Sequence, residues 1–325
     1  MIDQFGRRIE YARISVTDRC NLRCRYCMPE CGVKKIPQEE ILTFEEILRV
    51  VKIFSRLGIK KIRLTGGEPL LRKNLHALIR EIKILDGIAQ VTLTTNGVLL
   101  EKFATDLISA GLDGVNISVD TLNEKIFNDL TRRKLFKNVM RGLKILLDVG
   151  KKIKVNCVPL RGVNEDDILK LAELARENFV DVRFIELMPI GCAVNSNLEG
   201  IPTAEIFSLL EKNFGKLYPV EKNFLQGPAE YFRAKNFIGR IGFIDALEHK
   251  FCADCNRIRL TAEGFLKPCL NFATGLDVKK LLRTGVDDKK IFAAIEQTIY
   301  HKPREHFFNT TLKNFDERKM YQIGG

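Results

Sequence analysis

The 325-residue sequence has no apolar run long enough to cross a bilayer. Its most apolar stretches, such as "GLKILLDVG", are broken by charge well before the ~20 residues that a membrane span needs. The N-terminus, "MIDQFGRRIE", lacks an apolar core followed by a cleavage site, so no signal peptide is expected and the chain reads as cytoplasmic. Internal repeats and low-complexity tracts are missing as well, and histidine is scarce, at four residues. A further shortage is more telling. Six of the nine cysteines fall into two tight groups, and each group lacks a fourth member. "CNLRCRYC" holds Cys20, Cys24 and Cys27; "CADCNRIRLTAEGFLKPC" holds Cys252, Cys255 and Cys269. A structural zinc site takes four protein ligands, and a disulfide framework takes an even number of half-cystines. Three thiols point to a metal centre with one corner left open.

What is present is ordinary in bulk. Hydrophobic residues make up 45% and charged residues 29%, as in a soluble globular protein. The length suits one large domain or two smaller ones. The formal charge of +12 favours an anionic partner, either nucleic acid or a phosphorylated small molecule. In an intracellular chain, cysteines read better as metal ligands or core thiols than as disulfides.

From residue 11 to about residue 190, short β-branched runs alternate with amphipathic stretches. The expected strands are "YARISVT", "KKIRLT", "QVTLTT", "GVNISVD", "KIKVNCV" and "DVRFIEL". Between the first two lies "TFEEILRVVKIFSRLG", with Phe44, Ile47, Leu48, Val51 and Phe54 at helical spacing, Thr43 and Glu46 placed as a capping box, and Gly58 at the end. Six strand–helix units imply an α/β fold with a parallel sheet. The unusual groups follow the strands: the cysteine triplet after the first, "GGEP" (66–69) after the second, "TNG" (95–97), "SVD" (118–120) and Met188-Pro189 after later ones. Parallel barrels build their sites from those carboxyl ends. The expectation is therefore an incomplete (β/α)6 TIM-type barrel over residues 1–195. A smaller α+β region over 196–325, with antiparallel strands in "YFRAKNFIGRIGFID" and helices near 276–283 and 287–300, is expected to close it.

Thiolates on a short loop can wrap an iron–sulfur cube, each on a different iron. Read from the residues alone, three buried or redox-active thiols, or a zinc site completed elsewhere, remain alternatives. The C-x3-C-x2-C run of Cys20, Cys24 and Cys27, with Tyr26 before the last cysteine, resembles the signature of the radical S-adenosylmethionine (SAM) superfamily. That resemblance implies a [4Fe-4S] cluster whose open iron is chelated by SAM, which one electron cleaves to a 5′-deoxyadenosyl radical. In "GGEP", Gly66 and Gly67 allow close backbone approach, and Glu68 is expected to accept from the amino group of SAM. The second triplet reads either as a zinc ribbon completed by His249 or as a second cluster with its own open iron.

Both triplets together with "SVTDRCN", "RLTGGEPL", "LTTNG", "NISVD", "RFIELMP", "CNRIRLT" and the terminal "GG" resemble the GTP cyclases that open molybdenum cofactor biosynthesis, from about Tyr11 to Gly325. The resemblance implies two [4Fe-4S] clusters and SAM as cofactors. It also implies conversion of GTP to (8S)-3′,8-cyclo-7,8-dihydroguanosine triphosphate, by abstraction of the ribose 3′ hydrogen and attack on guanine C8. Residue by residue, it places SAM on Tyr26, Gly67, Ser118 and Met188, and GTP on Arg13, Arg63, Thr94, Lys154, Arg257 and Arg259. The basic residues make independent sense, since arginine forks and a lysine point charge suit a triphosphate. Arg257 and Arg259, two apart on an expected strand, share a face. The resemblance also threads Gly324 and Gly325 into the active site, where, with Arg13, Arg257 and Arg259, they count as catalytic candidates. It implies a one-electron reductant and a downstream pyranopterin synthase, no membrane or nucleic-acid partner, and leaves a homodimer open. Cys31 is read as a bystander, Cys157 as core, and Cys192 has no assigned role.

Two rival readings remain. Another twin-cluster radical SAM enzyme, such as a peptide-maturing one, would carry more cysteines in its C-terminal region, whereas the last one here is Cys269. A zinc-containing nucleic-acid binder would group its basic residues with aromatics in one patch. Here they are spread along the chain, and nothing in that reading explains "GGEP".

Overall fold

The computed structural model describes residues 1–34, 36–150, 152–194, 196–221, 225–247, 251–308, 316 and 318–324. Six parallel strands come first: β1 (Tyr11–Ser15), β2 (Lys61–Thr65), β3 (Gln90–Thr95), β4 (Gly114–Ser118), β5 (Lys152–Cys157) and β6 (Val180–Ile185). They pair in sequence order. The helices between them are α1 (Phe44–Arg56), α2 (Leu75–Lys83), α3 (Leu100–Ser109), α4 (Glu124–Thr131), α5 (Phe136–Val149) and α6 (Ile168–Glu177). The expected capping box starts α1: Thr43 Oγ1 accepts from the Glu46 amide at 3.2 Å, and Glu46 Oε2 accepts from the Thr43 amide at 2.8 Å.

Strand alternation is unusually sharp, and it explains both the core and the site. On β1 to β6, Ala12, Ile14, Ile62, Leu64, Val91, Leu93, Val115, Ile117, Ile153, Val155, Val182 and Phe184 are buried. They form one hydrophobic cluster with the apolar stripes of the helices, such as Ile47, Val50, Val51 and Phe54 of α1. Because side chains alternate across a strand, the intervening residues face the other side, and these are polar. Arg13, Arg63, Thr94, Ser118, Lys154, Asn156 and Arg183 line a cavity on that concave face.

The C-terminal part contributes α7 (Thr203–Phe214), β7 (Tyr218–Val220), β8 (Glu230–Arg233), β9 (Arg240–Ile244), β10 (Arg257–Leu260), β11 (Phe265–Lys267), β12 (Leu276–Asp277), α8 (Val278–Arg283), α9 (Asp288–Tyr300) and the short α10 (Met320–Ile323). As expected, β8 and β9 are antiparallel, as are β10 and β11. Their inner members, however, also join the parallel sheet: β10 pairs parallel with β1, and β9 parallel with β6. The order is β12-β11-β10-β1-β2-β3-β4-β5-β6-β9-β8-β7, so eight consecutive strands run parallel. The expected six-stranded barrel is thus lengthened at both edges. Among the described residues, its ends are not joined by strand pairing. The reason lies in the same alternation: β10 turns Arg257 and Arg259 to the cavity and buries Ile258 and Leu260 behind.

No helix among the described residues is long and apolar enough to cross a membrane.

Candidate functional site

All the expected cluster cysteines, Cys20, Cys24, Cys27, Cys252, Cys255 and Cys269, line this one cavity. The first three sit on the loop after β1. That loop is held to the end of α4, where the amides of Arg23 and Arg25 donate to the carbonyls of Thr131 and Leu130 at 2.9 and 3.0 Å. Burial pushes the Cys20 thiol up to about 11 and the Cys27 thiol to about 12, and Cys24 rises well above its ordinary value. Neighbouring sulfurs add to the rise for Cys24 and Cys27. Metal ligation needs these thiols as thiolates, a form that a bound cation would stabilise against burial. Polar hydrogens already face Cys20: the Leu22 amide at 3.5 Å and Asn96 Nδ2 at 3.8 Å. Among the described residues no three His, Cys, Asp or Glu side chains converge on a single ion. A cube takes each thiolate on a different iron, so the donor set suits it.

"GGEP" does something other than expected. A Cβ on Gly66 would stand 2.5 Å from the Thr17 carbonyl oxygen, and one on Gly67 would stand 2.2 Å from that of Arg19. The close approach that needs these glycines is therefore to the cysteine loop. It is secured by the Gly67 amide donating to Thr17 O at 2.8 Å and the Glu68 amide to Arg19 O at 2.7 Å. Glu68 does not line the cavity. Its Oε1 accepts from the Leu70 amide (3.0 Å) and the Thr95 hydroxyl (2.7 Å), and its Oε2 from the Asn96 amide (2.7 Å). The expectation that Glu68 takes the amino group of SAM is corrected: the carboxylate braces two strand ends. Burial lifts it to about 7.

Tyr26, Gly67, Ser118 and Met188 all reach the cavity. The Tyr26 hydroxyl donates to Asp120 Oδ2 at 2.6 Å, while Asp120 Oδ1 accepts from the Val158 amide at 2.8 Å. Burial raises Asp120 to about 6.

The nucleotide candidates Arg13, Arg63, Thr94, Lys154, Arg257 and Arg259 also line the cavity. Strand register sets them side by side: Arg259 opposite Arg13, Arg13 opposite Arg63, and Thr94 opposite Asn116, which is opposite Lys154. This crowding has an electrostatic cost. Burial and the Arg259 charge pull Arg13 down to about 9; burial, with Arg13 adding, pulls Arg63 to about 10; burial and Arg257 pull Arg259 to about 10. Burial and Arg63 bring Lys61 to about 6. Burial and Arg183 bring Lys154 to about 6 even though Asp181 lies 3.4 Å away. Asp181 is already shared with Arg240 through two bonds of 2.7 Å. The wall of cations that depress one another leaves positive charge unneutralised inside the cavity.

The second triplet begins within a short turn at Phe251–Asp254, where the Cys255 amide donates to the Cys252 carbonyl at 3.2 Å. Burial raises Cys252. Cys255 moves the other way: burial opposes its ionisation, but the Lys302 and Arg257 charges bring it to about 6. His249, offered above as a zinc ligand, lies outside the described residues.

The C-terminal tail enters the same space. Tyr321 and Met320 line the cavity, and Gly324 O accepts from Arg259 Nη1 at 2.7 Å. Gly324 has φ +77°, and a Cβ there would stand 2.8 Å from Thr65 Cγ2. Gly325 lies outside the described residues. Cys31 is exposed, Cys157 is in the core, and Cys192 stands near enough to Cys27 to raise it.

The sequence reading left out several residues of this site. Asp120, Asn156, Arg183 and Lys302 line the cavity, and Tyr11 lies there with Lys61 and Arg63 stacked near its ring at 5.2 and 5.3 Å. A polar residue two positions from a site residue on the same strand, as Asn156 is from Lys154, was the available signal.

The family description "Radical SAM superfamily" matches residues 14–175, and "Molybdenum Cofactor Synthesis C" matches residues 180–308. The chain is 44% identical over 325 residues to the GTP 3′,8-cyclase of Clostridium perfringens (strain 13 / Type A), with all of both chains covered. It is 46% identical over 327 residues to that of Desulforamulus reducens, again over the whole of each. Among solved structures, Streptococcus suis SuiB bound to S-adenosylmethionine is similar at a TM-score of 0.60 and 16% identity, covering 89% of this chain and 68% of that one. The FeFe-hydrogenase maturase HydG from Carboxydothermus hydrogenoformans gives 0.51 at 18% identity, covering 65% and 52%. At these identities the two structures speak to the fold alone.

Proposed function

This chain belongs to the GTP 3′,8-cyclase family of the radical SAM superfamily, and from that premise we propose that it cyclises GTP to (8S)-3′,8-cyclo-7,8-dihydroguanosine triphosphate in molybdenum cofactor biosynthesis. The observation that carries the reading is the single cavity lined by two thiol triplets and by the cationic wall of Arg13, Arg63, Lys154, Arg257 and Arg259. A triphosphate supplies the negative charge that those mutually depressed cations lack.

Cys20, Cys24 and Cys27 would hold a [4Fe-4S] cluster, and Cys252, Cys255 and Cys269 a second. The first cluster would supply the single electron that makes bound SAM a source of the 5′-deoxyadenosyl radical. The chain's own part is to bind, orient and keep water out. Tyr26, fixed by Asp120, together with Gly67, Ser118 and Met188, positions SAM at the mouth of strands β1 to β6. Arg13, Arg63, Thr94, Lys154, Arg257 and Arg259 would hold GTP and orient its ribose toward the SAM side of the same cavity. Val158, Ile185, Leu187 and Ile190 give the cavity an apolar flank that excludes water from a reactive carbon centre. Arg259 also anchors Gly324, so the tail and the nucleotide share one guanidinium. The enzyme works in the cytoplasm, draws single electrons from a reductant, and passes its product to a pyranopterin synthase.

The test is anaerobic reconstitution with iron and sulfide, followed by GTP, SAM and dithionite. Formation of the 3′,8-cyclised nucleotide, with 5′-deoxyadenosine in step, is expected. SAM cleavage with GTP recovered unchanged would overturn the substrate assignment.

A further inference from the structure

The second triplet rests on a frame that the cyclase reading leaves unused. Arg7, buried near the N-terminus, gives its guanidinium to four backbone carbonyls. Nη1 donates to Cys252 at 3.0 Å and Arg304 at 2.9 Å, and Nη2 to Lys302 at 3.2 Å and Pro303 at 2.7 Å. Its Nε donates to Asp3 at 2.6 Å, so the charge is balanced where it stands. Through Arg7 the segment "KPREH" (302–306) is tied to the backbone of Cys252. There the His306 amide donates to the Cys252 sulfur. Lys302, 2% exposed, donates to the carbonyls of Arg257, at 3.0 Å, and Pro268. Those carbonyls stand two residues after Cys255 and one before Cys269. Among the described residues no carboxylate pairs with Lys302, so a basic side chain lies buried near enough to Cys252 and Cys255 to favour their thiolates, and against the carbonyl that precedes Cys269.

We infer that Lys302 is a positioning residue of the second cluster whose buried charge also sets that cluster's reduction potential, while Arg7 serves only to hold the loop in shape. The inference rests on reading Cys252, Cys255 and Cys269 as cluster ligands. Net charge, hydrogen bonds to sulfur and solvent exposure set iron–sulfur potentials. A cation in a buried setting favours the reduced, more negative state. It also offsets the repulsion between a thiolate-bound cluster and a nucleotide triphosphate in the same cavity. Arg7, neutralised by Asp3, has no such field to offer.

Replacing Cys20, Cys24 and Cys27 with alanine isolates the second cluster, which then holds about four irons per chain. In that background Lys302→Gln keeps amide donors for the two carbonyls but loses the charge. Redox titration followed by electron paramagnetic resonance should show iron content unchanged and potential lowered. The expected change is at least tenfold in the oxidised-to-reduced equilibrium, about 59 mV for one electron. Lys302→Arg should stay near the unsubstituted value. Arg7→Met should lose iron without moving the potential of what remains. Unchanged potential in a fully loaded Lys302→Gln variant overturns the inference. So does a Lys302→Arg variant that shifts equally, or the failure of both to load, which would make the role purely structural. A background protein that binds no iron at all overturns the second-cluster reading itself, and this role with it.

Discussion

At the scale of single residues, the cavity's character is set by cations that would rather be elsewhere. Arg257 and Arg259 face the cavity from β10, and among the described residues neither has a carboxylate partner to leave for a phosphate. Alanine at either position is expected to weaken GTP binding roughly ten- to hundredfold, the loss of one charge-assisted contact of ~1.5–3 kcal/mol. SAM binding should hold, and calorimetry with each ligand separates the two. Lys154 adds a pH signature. It sits at about 6 on the cavity wall and is therefore largely neutral at pH 8. A bound triphosphate raises it, so GTP binding takes up a proton, and affinity falls as pH rises from about 6 toward the ordinary lysine value. For stability the sign is the same as for any cation depressed by folding: the cost of burying it grows as pH falls through that window and is constant below it. Calorimetry at pH 8 in two buffers of different ionisation enthalpy should report net proton uptake; net release would remove Lys154 from the phosphate site. Most of this was legible from motifs, because Arg, Lys and Cys announce their chemistry. Asp120 was not, since its role depends on Tyr26, ninety-four positions earlier in the chain. Glu68 was misplaced because a strand-end motif does not say which way its carboxylate turns.

At the scale of elements, the loops after β1 and β2 behave as one unit. Thr17 and Arg19 of the cysteine loop are packed onto Gly66 and Gly67 so tightly that a single methyl has no room. Gly67→Ala should therefore push the first triplet out of place. Loss of the first cluster's iron is expected, with the second retained; iron analysis giving a full complement would show that the loops can separate. Cys24→Ala should abolish 5′-deoxyadenosine formation, whereas Cys255→Ala should impair GTP turnover more than SAM cleavage, read by the two products in one assay. The six leading strands and the α1 capping box could be read from the sequence because their signals are local: alternation for the strands, and Thr43 with Glu46 for the cap. The parallel placement of β9 and β10 could not. Each looks like half of a local hairpin, and its other partner, β6 or β1, is specified only by the matching pattern of polar and apolar faces.

At the scale of the whole molecule, the two ends of the chain meet at the site. The N-terminal strand supplies Arg13, and the tail brings Gly324 to Arg259 and to the ends of β1 and β2. Deleting Gly324 and Gly325, or extending them with a tag, should abolish cyclisation while both clusters still assemble. A tagged protein turning GTP over at the untagged rate would free the tail of any role. The flanking strands carry a different consequence, one of timing. As the chain leaves the ribosome at about 5–20 residues per second, β1 through β6 can pair and cover their outer face with helices. Yet Tyr11 must wait for Arg257, and Asp181 for Arg240, before either sheet edge is closed. For that interval the nascent protein shows two open rows of amides and carbonyls, a template for pairing with other chains. Truncation near residue 195 should thus yield aggregate rather than a half-protein, and synthesis slowed after β6 should cost more soluble product than the same delay placed after β10.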